Sequence, residues 1–119
     1  MSLSFVNGYS SPVSIMFEFY HPECQTVAND PWQRTGWYNL APGQKGLVFS
    51  GDVHQINRFW YFFAQSTDGA YWNGPYPELV RYSAFDDCAG IADNVNYHSI
   101  GMRELDVASY SDYVVTLTT

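Results

Sequence analysis

Residues 35–64 read TGWYNLAPGQKGLVFSGDVHQINRFWYFFA, and the fold turns on this stretch. Ala41-Pro42-Gly43 is turn chemistry: proline presets φ at the first central position and glycine supplies positive φ at the second. The turn joins extended segments at 32–40 and 44–50, the second with Leu47 and Phe49 on one face. A polar loop at 51–57 leads to RFWYFFAQ at 58–65. There Phe59, Tyr61 and Phe63 share one face, and Trp60, Phe62 and Ala64 share the other. Two apolar faces predict a central strand covered on both sides. A sandwich layer covers only one of them, so the other is expected to meet a second copy in a homodimer, or else the irregular segments 21–31 and 86–96.

The same alternation runs outward from this stretch. Phe5-Val6 reads as a strand entering an Asn7-Gly8 turn. Val13, Ile15, Phe17 and Phe19 alternate with Ser14, Met16, Glu18 and Tyr20, a strand with one face in the core and one in solvent. Residues 21–31 hold two prolines and read as a loop. A Thr-Asp-Gly turn at 66–69 precedes a short segment at 70–72, and residues 78–85 alternate again. Asp86 is a candidate cap for one helical turn containing Cys88 and Ile91. Residues 97–107 read as two short strands. Tyr113, Val115 and Leu117 alternate with Val114, Thr116 and Thr118 at the end. No helical stripe and no internal repeat is visible. The predicted fold is all-β, an antiparallel sandwich or flattened barrel of about seven to nine short strands. It occupies residues 1–119 as one domain.

Composition agrees. A chain of 119 residues buries about two-thirds of its unfolded surface without a metal or staple. Aromatic residues make up 18%, which favours pleated, half-buried surfaces. Net charge is −7 and Lys45 is the only lysine, so no cationic patch for nucleic acid or an anionic membrane is expected. No window is apolar enough to span a bilayer as a helix. MSLSFVNG has neither a basic nor an apolar region of the signal-peptide kind. If Met1–Leu3 are residues left by cloning, an exported or periplasmic location is expected; if they are native, a cytoplasmic one.

Gly36-Trp37-Tyr38-Asn39-Leu40-Ala41-Pro42-Gly43 resembles the GWW-x-L-x-PG element of a bacterial family catalogued as domain of unknown function 1036. The order of later motifs is similar: the aromatic strand, Trp72-Asn73-Gly74, Cys88, and a closing Thr116-Leu117-Thr118. Tyr38 departs from the family's second tryptophan. Members commonly look exported and carry paired cysteines. The family has no assigned activity, so the resemblance implies no catalytic residue.

Cys24 and Cys88 both lie in irregular polar segments of an acidic chain, which points to a disulfide between them. Neither has a partner at CxxC spacing, so a metal or redox role is the weaker reading. His21, His54 and His98 show no ligand spacing. Asp86, Asp87, Asp93, Asn94 and Asn96 offer oxygen ligands without an EF-hand pattern. No metal and no other cofactor is expected. Glu18, Glu78 and Glu104 are candidate carboxylates for glycoside chemistry, and there is no G-x-S-x-G elbow for a nucleophile.

The feature that favours a function is aromatic residues at turns. Trp32, Trp37, Tyr71, Trp72 and Tyr76, with Asp68 and Asn73 beside them, form a candidate ligand set. Aromatic faces stack on sugar rings while amides and carboxylates bind hydroxyls. The first reading is therefore a small all-β binding module for a saccharide or a protein partner. The rivals are a small hydrolase and a purely structural or oligomer-forming domain.

Overall fold

The computed structural model describes residues 2–28, 31–50, 58–81, 85–88, 97–107 and 112–118. Ten strands and one short helix follow in order: β1 (Ser2–Asn7), β2 (Val13–Tyr20), α1 (Glu23–Ala28), β3 (Trp32–Leu40), β4 (Lys45–Ser50), β5 (Phe59–Ser66), β6 (Tyr71–Trp72), β7 (Tyr76–Arg81), β8 (Phe85–Cys88), β9 (Tyr97–Asp106) and β10 (Asp112–Leu117). They build two sheets. One has the order β10-β1-β4 and the other β7-β9-β5-β2-β3-β8, with β6 paired to β5. Every pair is antiparallel except β1 with β10.

The sheets close face to face on an aromatic core. Leu3 and Phe5 of β1 and Leu117 of β10 meet Ile15, Phe17 and Phe19 of β2 and Trp60 and Phe62 of β5. Trp60 is its centre: its ring lies 5.0 Å from Phe49 and 5.2 Å from Phe19. The inward faces expected from the alternation in β2, β5 and β10 are those observed. β5 is central, flanked by β9 and β2. In the turn, Gln44 N–H donates to Ala41 O at 3.0 Å and Gly43 has φ +82°, as proline-glycine chemistry predicts. Asn7 organises its turn differently from the Asn-Gly expectation. Its buried amide donates to Ser11 O and Leu40 O, and its side-chain oxygen accepts from Tyr9 N–H.

β5's second face is covered in part by the chain itself. β9 pairs with β5 through residues 103–106 and with β7 through residues 97–102. The β7–β9 ribbon therefore leaves the sheet and folds over its outer side. Val80 and Ile100 of the ribbon pack with Met102, Phe63 and Met16, and Met16 belongs to β2, beyond β5 in strand order. Gly74 makes the crossing feasible: a Cβ there would meet Met102 O at 2.5 Å, and one on Gly101 would collide with Gly74 O. On this face the chain's own β7–β9 ribbon packs over Phe63 and Met16, where the sequence suggested a second copy or segments 21–31 and 86–96. Likewise Met16 and Glu18, read as solvent-facing, are buried beneath the ribbon.

Other differences have local causes. Residues 23–28 form α1, entered after Pro22 with Glu23 in its first turn; six residues are too few to display a helical stripe. Residues 85–88 are strand β8 on β3, not a helical turn, because pairing with Gln33–Gly36 decides the conformation. Residues 97–106 are one strand rather than two, with a change of partner where a break was expected. A register shift between Leu3 and Ser4 sets Phe49 opposite Leu3 and Leu47 opposite Ser4, so Leu47 faces outward and only Phe49 joins the core. Cys24 and Cys88 form a disulfide with Cα atoms 5.5 Å apart, fastening α1 to the edge strand β8. Among the described residues no helix is long and apolar enough to cross a membrane.

Candidate functional site

Trp32 and Trp37 stand five positions apart, which in a regular strand places them on opposite faces. In β3 they share the outer face because of a bulge. Ile15 pairs with Tyr38 and Phe17 with Thr35, so Gly36 and Trp37 together oppose Met16. Tyr38 then turns inward onto Phe17, and Trp37 turns outward onto Phe63 at 6.1 Å. The result is a row of outer-face rings. Tyr20 meets Trp32 at 5.7 Å, Trp32 meets Tyr61 at 5.6 Å, and Tyr61 meets Tyr76 of the ribbon at 4.9 Å.

Where this row meets the ribbon there is a cleft of about 240 Å³, lined by Glu18, Trp32, Tyr61, Tyr76, Pro77 and Met102. Strand pairing dictates its floor: Glu18 lies opposite Arg34 on one side and Tyr61 on the other, and Glu104 lies opposite Tyr61. The Tyr61 hydroxyl donates to Glu104 Oε2 at 3.3 Å, and Tyr76 also hydrogen-bonds Glu104. Burial raises the Tyr61 phenol above its ordinary 10.0, with the Glu104 charge and hydrogen bond adding to it. For Tyr76 the hydrogen bond to Glu104 is the leading cause of a rise. The Arg34 guanidinium is buried and lies 3.7 Å from Glu78 of the ribbon. Of the three carboxylates singled out in the sequence, Glu18 lines the cleft, Glu104 accepts from its Tyr61, and Glu78 faces Arg34, the cross-strand neighbour of Glu18.

A second depression of about 280 Å³ lies at the same ribbon's base. Phe63, Gln65, Tyr71 and Asn73 line it with residues 99–101 of β9. Tyr71 is largely exposed and stands 5.9 Å from Phe63. Of the sequence-predicted set, Trp32 and Tyr76 therefore share the first cleft, Tyr71 and Asn73 share the second, and Trp37 packs on Phe63 beside the latter.

Trp37 lines neither, and two more of the set, Trp72 and Asp68, lie away from both. Trp72 was read as a turn-borne stacking face, but it is only 6% exposed. Its indole N–H donates to Thr118 O at 2.9 Å and its ring meets Tyr9 edge-on at 5.2 Å. Pairing with Ala64, an inward residue, commits it to the core. Asp68 is exposed in the β5–β6 turn, where Ser66 and Tyr9 hydroxyls donate to its carboxylate and hold its pKa below the ordinary 3.8. It ties that turn to the β1–β2 loop and lines neither depression.

Tyr61 and Met102 line the cleft without a place in the expected ligand set, and Glu18 enters it from the carboxylates rather than from that set. For Glu18 and Tyr61 the signal was the outer-face phase of β2 and β5, which the alternation displayed, but not what covered it; Met102 arrives from β9. Among the described residues no His, Cys, Asp and Glu group is arranged for a metal. His21 packs beside Phe19. Asp86 accepts from the Gln33 amide. His54, Asp93, Asn94 and Asn96 lie outside the described residues. No family model, curated protein or solved structure matches the chain.

Proposed function

We propose that the protein is a saccharide-binding module whose site is the cleft between the outer sheet face and the β7–β9 ribbon. One observation carries the reading: Trp32, Tyr61 and Tyr76 converge there on Glu18 and Glu104. Sugar C–H faces pack on aromatic rings, and carboxylates accept hydrogen bonds from hydroxyls, so rings and acids together match a pyranose on both counts. The volume suits one or two sugar rings. The strands that carry the site are pinned by ladder hydrogen bonds, so little ordering cost accompanies binding.

A glycan array followed by calorimetric titration tests this. Saturable binding that is lost in Trp32→Ala and Tyr76→Ala, with melting temperature retained, supports the site. Undiminished binding in both variants refutes it. Turnover of the bound glycan would transfer the same residues to the hydrolase reading. Kinship with the domain-of-unknown-function 1036 family also stands as a proposal. The run Gly36–Gly43 that carries the resemblance supplies the β3 bulge that turns Trp37 outward and the β3–β4 turn.

A further inference from the structure

We infer that the saccharide selected by this cleft is an amino sugar, bound through its protonated amine. The inference rests on the saccharide reading and narrows it by charge. Glu18 lines the cleft, Glu104 accepts from its Tyr61 hydroxyl, and Glu78 pairs with Arg34 at 3.7 Å, so these described side chains bring three carboxylates and one guanidinium to its surroundings. Glu18 is 6% exposed, and a carboxylate in such surroundings attracts a cation more strongly than one in open water. The Tyr61 ring lies 5.6 Å from Trp32 and 4.9 Å from Tyr76. Such rings attract an ammonium group through their quadrupoles as well as stacking on a sugar face. The chain's net charge of −7 adds long-range attraction for a cationic ligand and repels uronic or sulfated sugars.

The second depression is the contrast. Gln65, Asn73 and Ser99 supply its polar lining, and all three are neutral. Nothing there distinguishes an amine from a hydroxyl. The preference is therefore specific to the Trp32–Tyr61–Tyr76 cleft.

The test is calorimetric titration of the intact protein with three probes: a β-1,4-linked glucosamine trimer, its fully N-acetylated counterpart and cellotriose. Each is run at low and at high salt. The expected result is affinity for the amine trimer about tenfold above the other two at low salt, a gap that narrows as salt screens the charges. In Glu104→Gln the gap collapses towards equality. Equal binding of the amine and N-acetylated trimers by the unaltered protein overturns the inference and leaves the saccharide reading standing. Failure of all three trimers to bind overturns both.

Discussion

Removing the Cys24–Cys88 bridge is expected to cost about 4 kcal/mol. The bridge spans a sequence separation of 64 residues. On the chain-entropy relation, closing such a loop removes about 14 cal/mol/K from the unfolded ensemble, or about 4 kcal/mol at 25 °C. The loop contains β3 to β7, which include strands of both sheets, so the restraint acts on global unfolding rather than on one hairpin. The assay is urea unfolding of the oxidised protein, the reduced protein and the Cys24→Ala/Cys88→Ala variant. With a slope of about 1.5–2 kcal/mol/M, the midpoint falls by about 2–3 M on reduction. The variant falls slightly further, because Cys24 is fully buried and its truncation leaves a small void. Intact mass before and after thiol labelling establishes the covalent state of each sample. Oxidised and reduced proteins with midpoints within about 0.3 M would refute the reasoning, because the loop-entropy term would then be missing.

Trp72→Ala is expected to lose about 3–5 kcal/mol by truncation of a buried ring, and to strand the Thr118 carbonyl, while saccharide affinity measured well below the new melting temperature is retained. Gly101→Ala, which drives a methyl into the Gly74 carbonyl, should destabilise by about 1–3 kcal/mol in thermal melts, and unchanged stability would mean the ribbon does not cross so closely. Phenolate absorbance during alkaline titration should show Tyr61 and Tyr76 ionising above 10.0. Since their folded values are raised, the stability they contribute is complete below the unfolded value near 10.0 and is lost as pH rises through the folded ones. Glu104→Gln should lower Tyr76 more than Tyr61, because burial leads for Tyr61 and the Glu104 bond leads for Tyr76.

Much of the fold was legible because period-two patterning reports faces directly. Phe17 and Trp60 belong to strands whose alternation runs unbroken along the segment, and both lie on the inward faces it indicates. Leu47 and Trp37 were misplaced or left unplaced for a shared reason. Each lies beside a bulge, and one inserted residue reverses the phase of everything beyond it. No composition signal marks either bulge. The cover over β5 was illegible for a different reason. β9 changes partner from β5 to β7 within a single strand, and a strand's own pattern carries no information on which neighbour it pairs with. That is also why Trp72 looked like a surface aromatic. Its neighbours Asn73 and Gly74 are turn residues, but its phase is set by Ala64 across the ladder. The site was legible as a residue list and not as a place: Trp32 and Tyr76 stood among the aromatics and Glu18 among the carboxylates, whereas Tyr61 acquired its role only once the ribbon created a wall opposite it.

The most direct test of the cleft as the binding site is to follow the four tryptophan indole N–H resonances during titration with the glucosamine trimer. The account predicts that the Trp32 indole shifts progressively and saturates with the calorimetric affinity, while those of Trp60 and Trp72, enclosed in the core between the sheets, stay fixed. A Trp32 signal that remains in place while the trimer binds would contradict it.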